Sequence, residues 1–97
     1  MRALKNDKRE YELASQLFRS GTAVGALIEE AIGGQTRKDF YMKLTIAYKE
    51  ARESKYWLRI IKDTNLMEEN KVNELLNDIE EILKIIGSIQ KTVRNSN

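Results

Sequence analysis

The chain has no cysteine, no histidine and no proline in 97 residues. Without cysteine there is no disulfide and no thiolate nucleophile. Without histidine as well, Cys/His zinc sites and imidazole acid–base chemistry are excluded. The lack of proline removes the strongest breaker of helices. Long apolar runs are missing too: none reaches the roughly 20 residues of a membrane-spanning helix, and residues 1–8 have no apolar core of signal-peptide length. A cytoplasmic location with no membrane contact is the expectation. There is also no Ser/His/Asp set, no phosphate-cradling glycine loop and no dinucleotide fingerprint. The only glycine pair, Gly33-Gly34, follows one helical pattern and precedes another, the wrong setting for a dinucleotide site. No enzymatic activity, cofactor or small-molecule substrate is expected.

What remains is 41 % apolar and 33 % charged, a globular balance for a single domain spanning residues 1–97. A proline-free chain rich in Leu, Ile, Ala, Glu and Lys is most simply all-α. Three seams at helical spacing bear this out. Ala14, Leu17, Gly21, Val24, Ile28 and Ala31 advance by 3 and 4 residues and predict a helix over about 10–32. Phe40, Leu44, Ala47, Ala51, Ser54, Leu58 and Ile61 predict a second over about 37–62, and Val72 through Val93 a third over about 68–93. Gly33-Gly34 should end the first helix, with glycine supplying a left-handed cap. Thr36 with Asp39 reads as an N-cap for the second, and Asn65 with Glu68 as an N-cap for the third. The short turns predict an antiparallel up-and-down bundle. Each apolar face is wider than three helices need, which points to a four-helix arrangement with one helix absent or supplied by another subunit.

Gly21 and Gly25 stand inside the first predicted helix, where each costs roughly 1 kcal/mol against alanine. Pairing the helices back from the turn sets Gly21 near Ala47 and Tyr48, and Phe18 near Ala51. Small residues then face small residues, so Gly21, Gly25, Ala47 and Ala51 are expected to form a close helix–helix contact. Glu29, Glu30, Asp39, Glu50 and Glu53 carry carboxylates, but a di-iron bundle site also requires Glu-x-x-His pairs. They read as solvated or ion-paired, with no metal.

The net charge is only +2, yet residues 36–63 hold eight basic against four acidic side chains. Arg52, Lys55, Arg59 and Lys62 lie at spacings of 3, 4 and 3 on the second helix, with Lys49 close by. Such a stripe suits a phosphate backbone, RNA or DNA, and repetition around an oligomer would enlarge it. The plainer alternative is a solvated face with ion pairs, leaving a structural or protein-interaction module. Tyr56-Trp57 invites base stacking, but Trp57 shares the edge of the apolar face with Ile46 and Ile60. Ile46, Trp57 and Ile60 therefore read as an oligomer contact.

The run Ser20-Gly21-Thr22-Ala23-Val24-Gly25-Ala26 with Ile28-Glu29-Glu30-Ala31, then Asp39-Phe40, Lys43-Leu44, Ile46-Ala47, Lys49-Glu50-Ala51-Arg52-Glu53 and Tyr56-Trp57-Leu58, resembles the bacterial four-helix-bundle family named for proteins encoded in 23S rRNA intervening sequences. The resemblance covers about residues 9–93. It implies an up-and-down four-helix bundle assembling as a homopentamer, with nucleic-acid association in many members. A related accessory protein of diversity-generating retroelements is a basic pentamer that binds a reverse transcriptase and nucleic acid, so a protein partner is implied as well. The family has no established catalytic residues to carry over. Its members usually have a further helix before the position of Tyr11, and the resemblance implies that this helix is short or missing here.

Overall fold

Three helices carry the described chain: α1 (Arg2–Ile32), α2 (Arg37–Asp63) and α3 (Glu69–Asn95). A computed structural model describes residues 2–96, with side chains from residue 8 onward; Met1, Asn97 and the side chains of residues 2–7, Arg2 and Lys5 among them, lie outside the description. The all-α expectation holds: there is no strand among the described residues. α1 begins eight residues before the periodicity predicts it. The reason is intrinsic propensity, since Ala3, Leu4, Lys5, Lys8 and Arg9 favour helix and neither glycine nor proline interrupts them.

The helix ends show which local signals win. Thr36 is extended at φ −131°, and its hydroxyl accepts from the Asp39 amide at 3.0 Å, so α2 starts at the predicted cap. Asn65 does not cap α3. It sits at φ 57° as the residue that turns the chain out of α2. Its amide donates to the Lys62 carbonyl and the Leu66 amide to that of Ile61, both at 3.2 Å, a Schellman closure. Asparagine tolerates the left-handed region better than other chiral residues, and that preference outweighs its capping habit here. α3 is instead preceded by Glu68, which makes no side-chain cap hydrogen bond. The end of α1 differs from expectation as well, because no glycine among the described residues has a positive φ. Space is tight at Gly34: a Cβ there would lie 3.1 Å from the Ala31 carbonyl oxygen and would displace the Asp39 carboxylate, whose Oδ2 lies 2.6 Å away.

α2 is the central helix. It packs on α1 along one side and on α3 along the other, while α1 and α3 make no close backbone approach to each other among the described residues. The Cα envelope measures 59 × 20 × 13 Å. Helices 8–10 Å apart in a flat row would be only about 5 Å thick, and a tight triangle would be about 14 Å across in both directions. The observed section lies between these limits, as three corners of a square do. In a square bundle the first and third helices are diagonal and do not touch.

Between α1 and α3, opposite α2, the fourth corner is an apolar groove of about 400 Å³. Leu17, Val24 and Ile28 of α1, Ser54 and Leu58 of α2, and Leu75, Ile79 and Ile82 of α3 line it. Phe18 and Ile32, at helical spacing from Gly21, Gly25 and Ile28, extend the α1 side and are 73 % and 70 % exposed. Its α3 wall continues through Ile85 and Ile89, also exposed, at helical spacing from Ile82. The over-wide faces seen in the sequence are thus apolar surface around one open corner.

This placement corrects the small-residue contact. Ala47 and Ala51 are fully buried, as expected of a close α1–α2 approach. Gly21 and Gly25 are not part of it: a Cβ at either position would meet nothing within 4 Å, and both line the open groove. Phe18 is exposed and does not sit on Ala51. The close contact is made one residue earlier, where Ser20 Oγ lies 2.8 Å from Ser54 Oγ with both side chains buried. One residue turns a helix by about 100°. A seam centred on Ser20, Val24 and Ala31 therefore points Gly21 and Gly25 away from α2.

Candidate nucleic-acid interface

Along α2, the flank towards α3 carries the cations and the flank towards α1 carries Trp57. This separation follows from the helical period, since residues three and four apart share a side. On the α1 flank, Trp57 Nε1 donates to Glu53 Oε2 at 3.1 Å, and Arg19 of α1 pairs with the same carboxylate and, at 3.4 Å, with Glu50. The Trp57 hydrogen bond, and after it Arg19, holds the Glu53 carboxyl below the usual carboxylate range. Trp57 is half-buried and its one polar group is already engaged. Ile60 is half-buried and Ile46 is 41 % exposed on the same outer flank. Of the remaining singled-out acids, Glu30 pairs with Lys43 at 3.0 Å, Asp39 lies at the start of α2, and Glu29 is exposed.

On the other flank, Arg52, Lys55 and Arg59 line a cleft of about 390 Å³ between α2 and α3. Tyr48 and Tyr56 complete the α2 side; Glu80, Leu83 and Lys84 form the α3 side. A neighbouring cleft continues the same groove past Lys55, Arg59 and Lys62 to Asn73 and Asn77. Of the sequence-predicted set, the structure therefore brings together Arg52, Lys55, Arg59 and Lys62. Lys49 is exposed farther round α2 and lines neither cleft.

The cations differ in availability. Lys55 is paired with Glu80, which holds that carboxyl below its ordinary range. Arg52 and Arg59 are exposed, and among the described residues no carboxylate lies within 4 Å of either guanidinium. The local balance is four cations, Arg52, Lys55, Arg59 and Lys84, against the single carboxylate of Glu80. An exposed guanidinium remains charged at any physiological pH and can bind phosphate oxygens in a bidentate manner. What the sequence reading missed is the α3 contribution. Glu80 and Lys84 lie four residues apart on one face, and only the antiparallel register of α3 against α2 shows that this face meets Lys55 and Arg52.

Among the described residues, no group of three or more Asp, Glu, His or Cys side chains is arranged to hold a metal ion, and no helix is long and apolar enough to cross a membrane.

No curated protein matches the chain. A solved structure from Bacteroides thetaiotaomicron, a protein of unknown function from the S23 ribosomal protein family, is similar with a TM-score of 0.82 and 42 % identity. That similarity covers 91 % of this chain and 82 % of the other. The profile of the 23S rRNA-intervening sequence proteins matches residues 1–88, including every helix-forming seam of α1 and α2 and most of α3. The chain belongs to the 23S rRNA-intervening sequence protein family.

Proposed function

We propose that this protein is a non-enzymatic, oligomeric helical protein that acts as an RNA- or DNA-associated accessory or scaffold in the bacterial cytoplasm. The observation that carries the nucleic-acid half is the exposed pair Arg52 and Arg59 beside a cleft that also holds Lys55 and Lys84, with Lys62 close by; among the described residues no carboxylate lies within 4 Å of either guanidinium. Surface arginines with nearby acids normally form ion pairs; two left unpaired on one stripe suit an anionic partner with repeated charges.

The oligomeric half is supported by the open corner. Monomeric soluble proteins rarely expose large contiguous apolar patches, and here an apolar groove is flanked by Phe18, Ile32 and Ile85, each more than half exposed. The family resemblance makes a pentamer the expected assembly, and a ring of subunits would repeat the basic stripe. A purely structural or protein-interaction module is the alternative, favoured by the same apolar surface if the arginines prove idle.

A gel shift with ribosomal RNA fragments at low and moderate salt separates the two. A shift that weakens with salt and is lost in Arg52→Glu/Arg59→Glu, with helicity retained, supports nucleic-acid binding. No shift by the wild-type protein at either salt concentration leaves the interaction-module reading.

A further inference from the structure

Tyr56 is 57 % exposed, and among the described residues its hydroxyl makes no hydrogen bond. It lines the cationic cleft. Arg52 lies four residues before it and Arg59 three residues after, so all three occupy one side of α2. The two guanidinium-bearing positions are separated by about 10 Å along the axis, with the tyrosine ring between them. Trp57 meets that ring at a centroid distance of 5.1 Å and an angle of 65°, an edge contact that restrains it. Trp57 is in turn tied to Glu53 at 3.1 Å. The cleft therefore holds a braced, solvent-facing aromatic ring between two cations that have no ion pair among the described residues.

We propose that the α2–α3 cleft receives an unpaired segment of nucleic acid, with a base stacked on Tyr56 and the phosphates on either side held by Arg52 and Arg59. This rests on the nucleic-acid reading above and narrows it to single-stranded substrate. The reason is accessibility of the base. In a duplex each base face is covered by its neighbours, so an aromatic ring on the protein surface gains only a backbone neighbour. In a single strand the base face is free, and stacking on an aromatic side chain adds to the phosphate contacts. Arginines alone would bind either form; an exposed tyrosine between them discriminates in favour of the unpaired one.

The test uses fluorescence anisotropy with a short labelled single-stranded RNA, the same RNA annealed to its complement, and the DNA strand of the same sequence. The wild-type protein is expected to bind the single strand more tightly than the duplex. Tyr56→Ala should weaken single-strand binding about tenfold, the scale of one lost base–aromatic stack, and leave duplex binding unchanged. Tyr56→Phe keeps the ring and should bind as the wild type does. The same dependence on Tyr56 is expected with the DNA strand, because every base has a π face. Because Tyr56 is mostly exposed, its truncation leaves the core residues in place, and circular dichroism checks this. If Tyr56→Ala binds the single strand like wild type while Arg52→Glu/Arg59→Glu does not, stacking is refuted and the phosphate-binding reading stands. If the wild-type protein binds neither strand nor duplex at low salt, both fall together.

Discussion

Replacing both Gly21 and Gly25 by alanine should stabilise this protein. Both residues lie inside α1, and a Cβ built at either meets nothing within 4 Å. The substitution therefore introduces no clash and recovers the helix propensity that glycine forfeits, about 1 kcal/mol per site. Summed over the two exposed sites on the open groove, the propensity gain is about 2 kcal/mol. For a domain of this size that corresponds to a rise in Tm on the order of 10 °C. Urea unfolding followed by circular dichroism is the assay, run at several protein concentrations with light scattering to fix the assembly state. The prediction is a higher midpoint with an unchanged slope under conditions where the mass is that of one chain. A lower midpoint under those conditions would mean that the chain's own helices close on the glycines, and the open-corner description would be wrong. Stabilisation of the single chain with weakened assembly would place a partner helix against them.

Two further substitutions probe the α1–α2 seam. Ser20 Oγ also donates to the Leu17 carbonyl at 3.2 Å, so it keeps a partner when Ser54 is removed, whereas among the described residues the Ser54 hydroxyl has only Ser20. Ser20→Ala should therefore cost more than Ser54→Ala, about 1–3 kcal/mol for a buried hydroxyl left unpaired, as read from denaturant unfolding; equal costs would contradict the asymmetry. Trp57→Phe removes the first cause of the low Glu53 pKa while leaving Arg19 in place. A carboxyl whose folded pKa lies below its unfolded value contributes stability that is complete above about pH 4.3 and lost as pH falls through the folded value. NMR titration of Glu53 should show its midpoint move up towards the ordinary range in Trp57→Phe, and an unmoved midpoint would refute the role given to the indole.

The helical architecture was legible because each helix repeats its apolar positions over several turns, and that signal is local. Val72 through Val93 keep a 3-and-4 spacing for the whole of α3, and Thr36 carries its cap in its own side chain. What failed depended on rotation and register between helices. The seam through Ala14, Gly21 and Ile28 is real, but half of it faces the open corner; only the position of α2 decides that Ser20 is inside and Gly21 outside. Asn65 illustrates a competition between two local preferences, capping and the left-handed turn, that sequence alone weighs poorly. The cation stripe was visible on α2, while the pairing of Lys55 that sets it apart from Arg52 and Arg59, which have no ion pair among the described residues, needed Glu80 from α3. Tyr56 and Trp57 are adjacent in sequence yet belong to different surfaces, one lining the cationic cleft and the other engaged with Glu53.

The claim that Arg52 and Arg59 hold a phosphate backbone is tested most directly by the salt dependence of affinity for single-stranded RNA. Each phosphate neutralised on a single strand contributes about −0.7 to the slope of log K against log salt concentration. The wild-type protein should show a clear negative slope, and Arg52→Ala/Arg59→Ala should flatten it by about 1.4, the share of two phosphates. Parallel lines for the two proteins would contradict the account, because the arginines would then hold no phosphate.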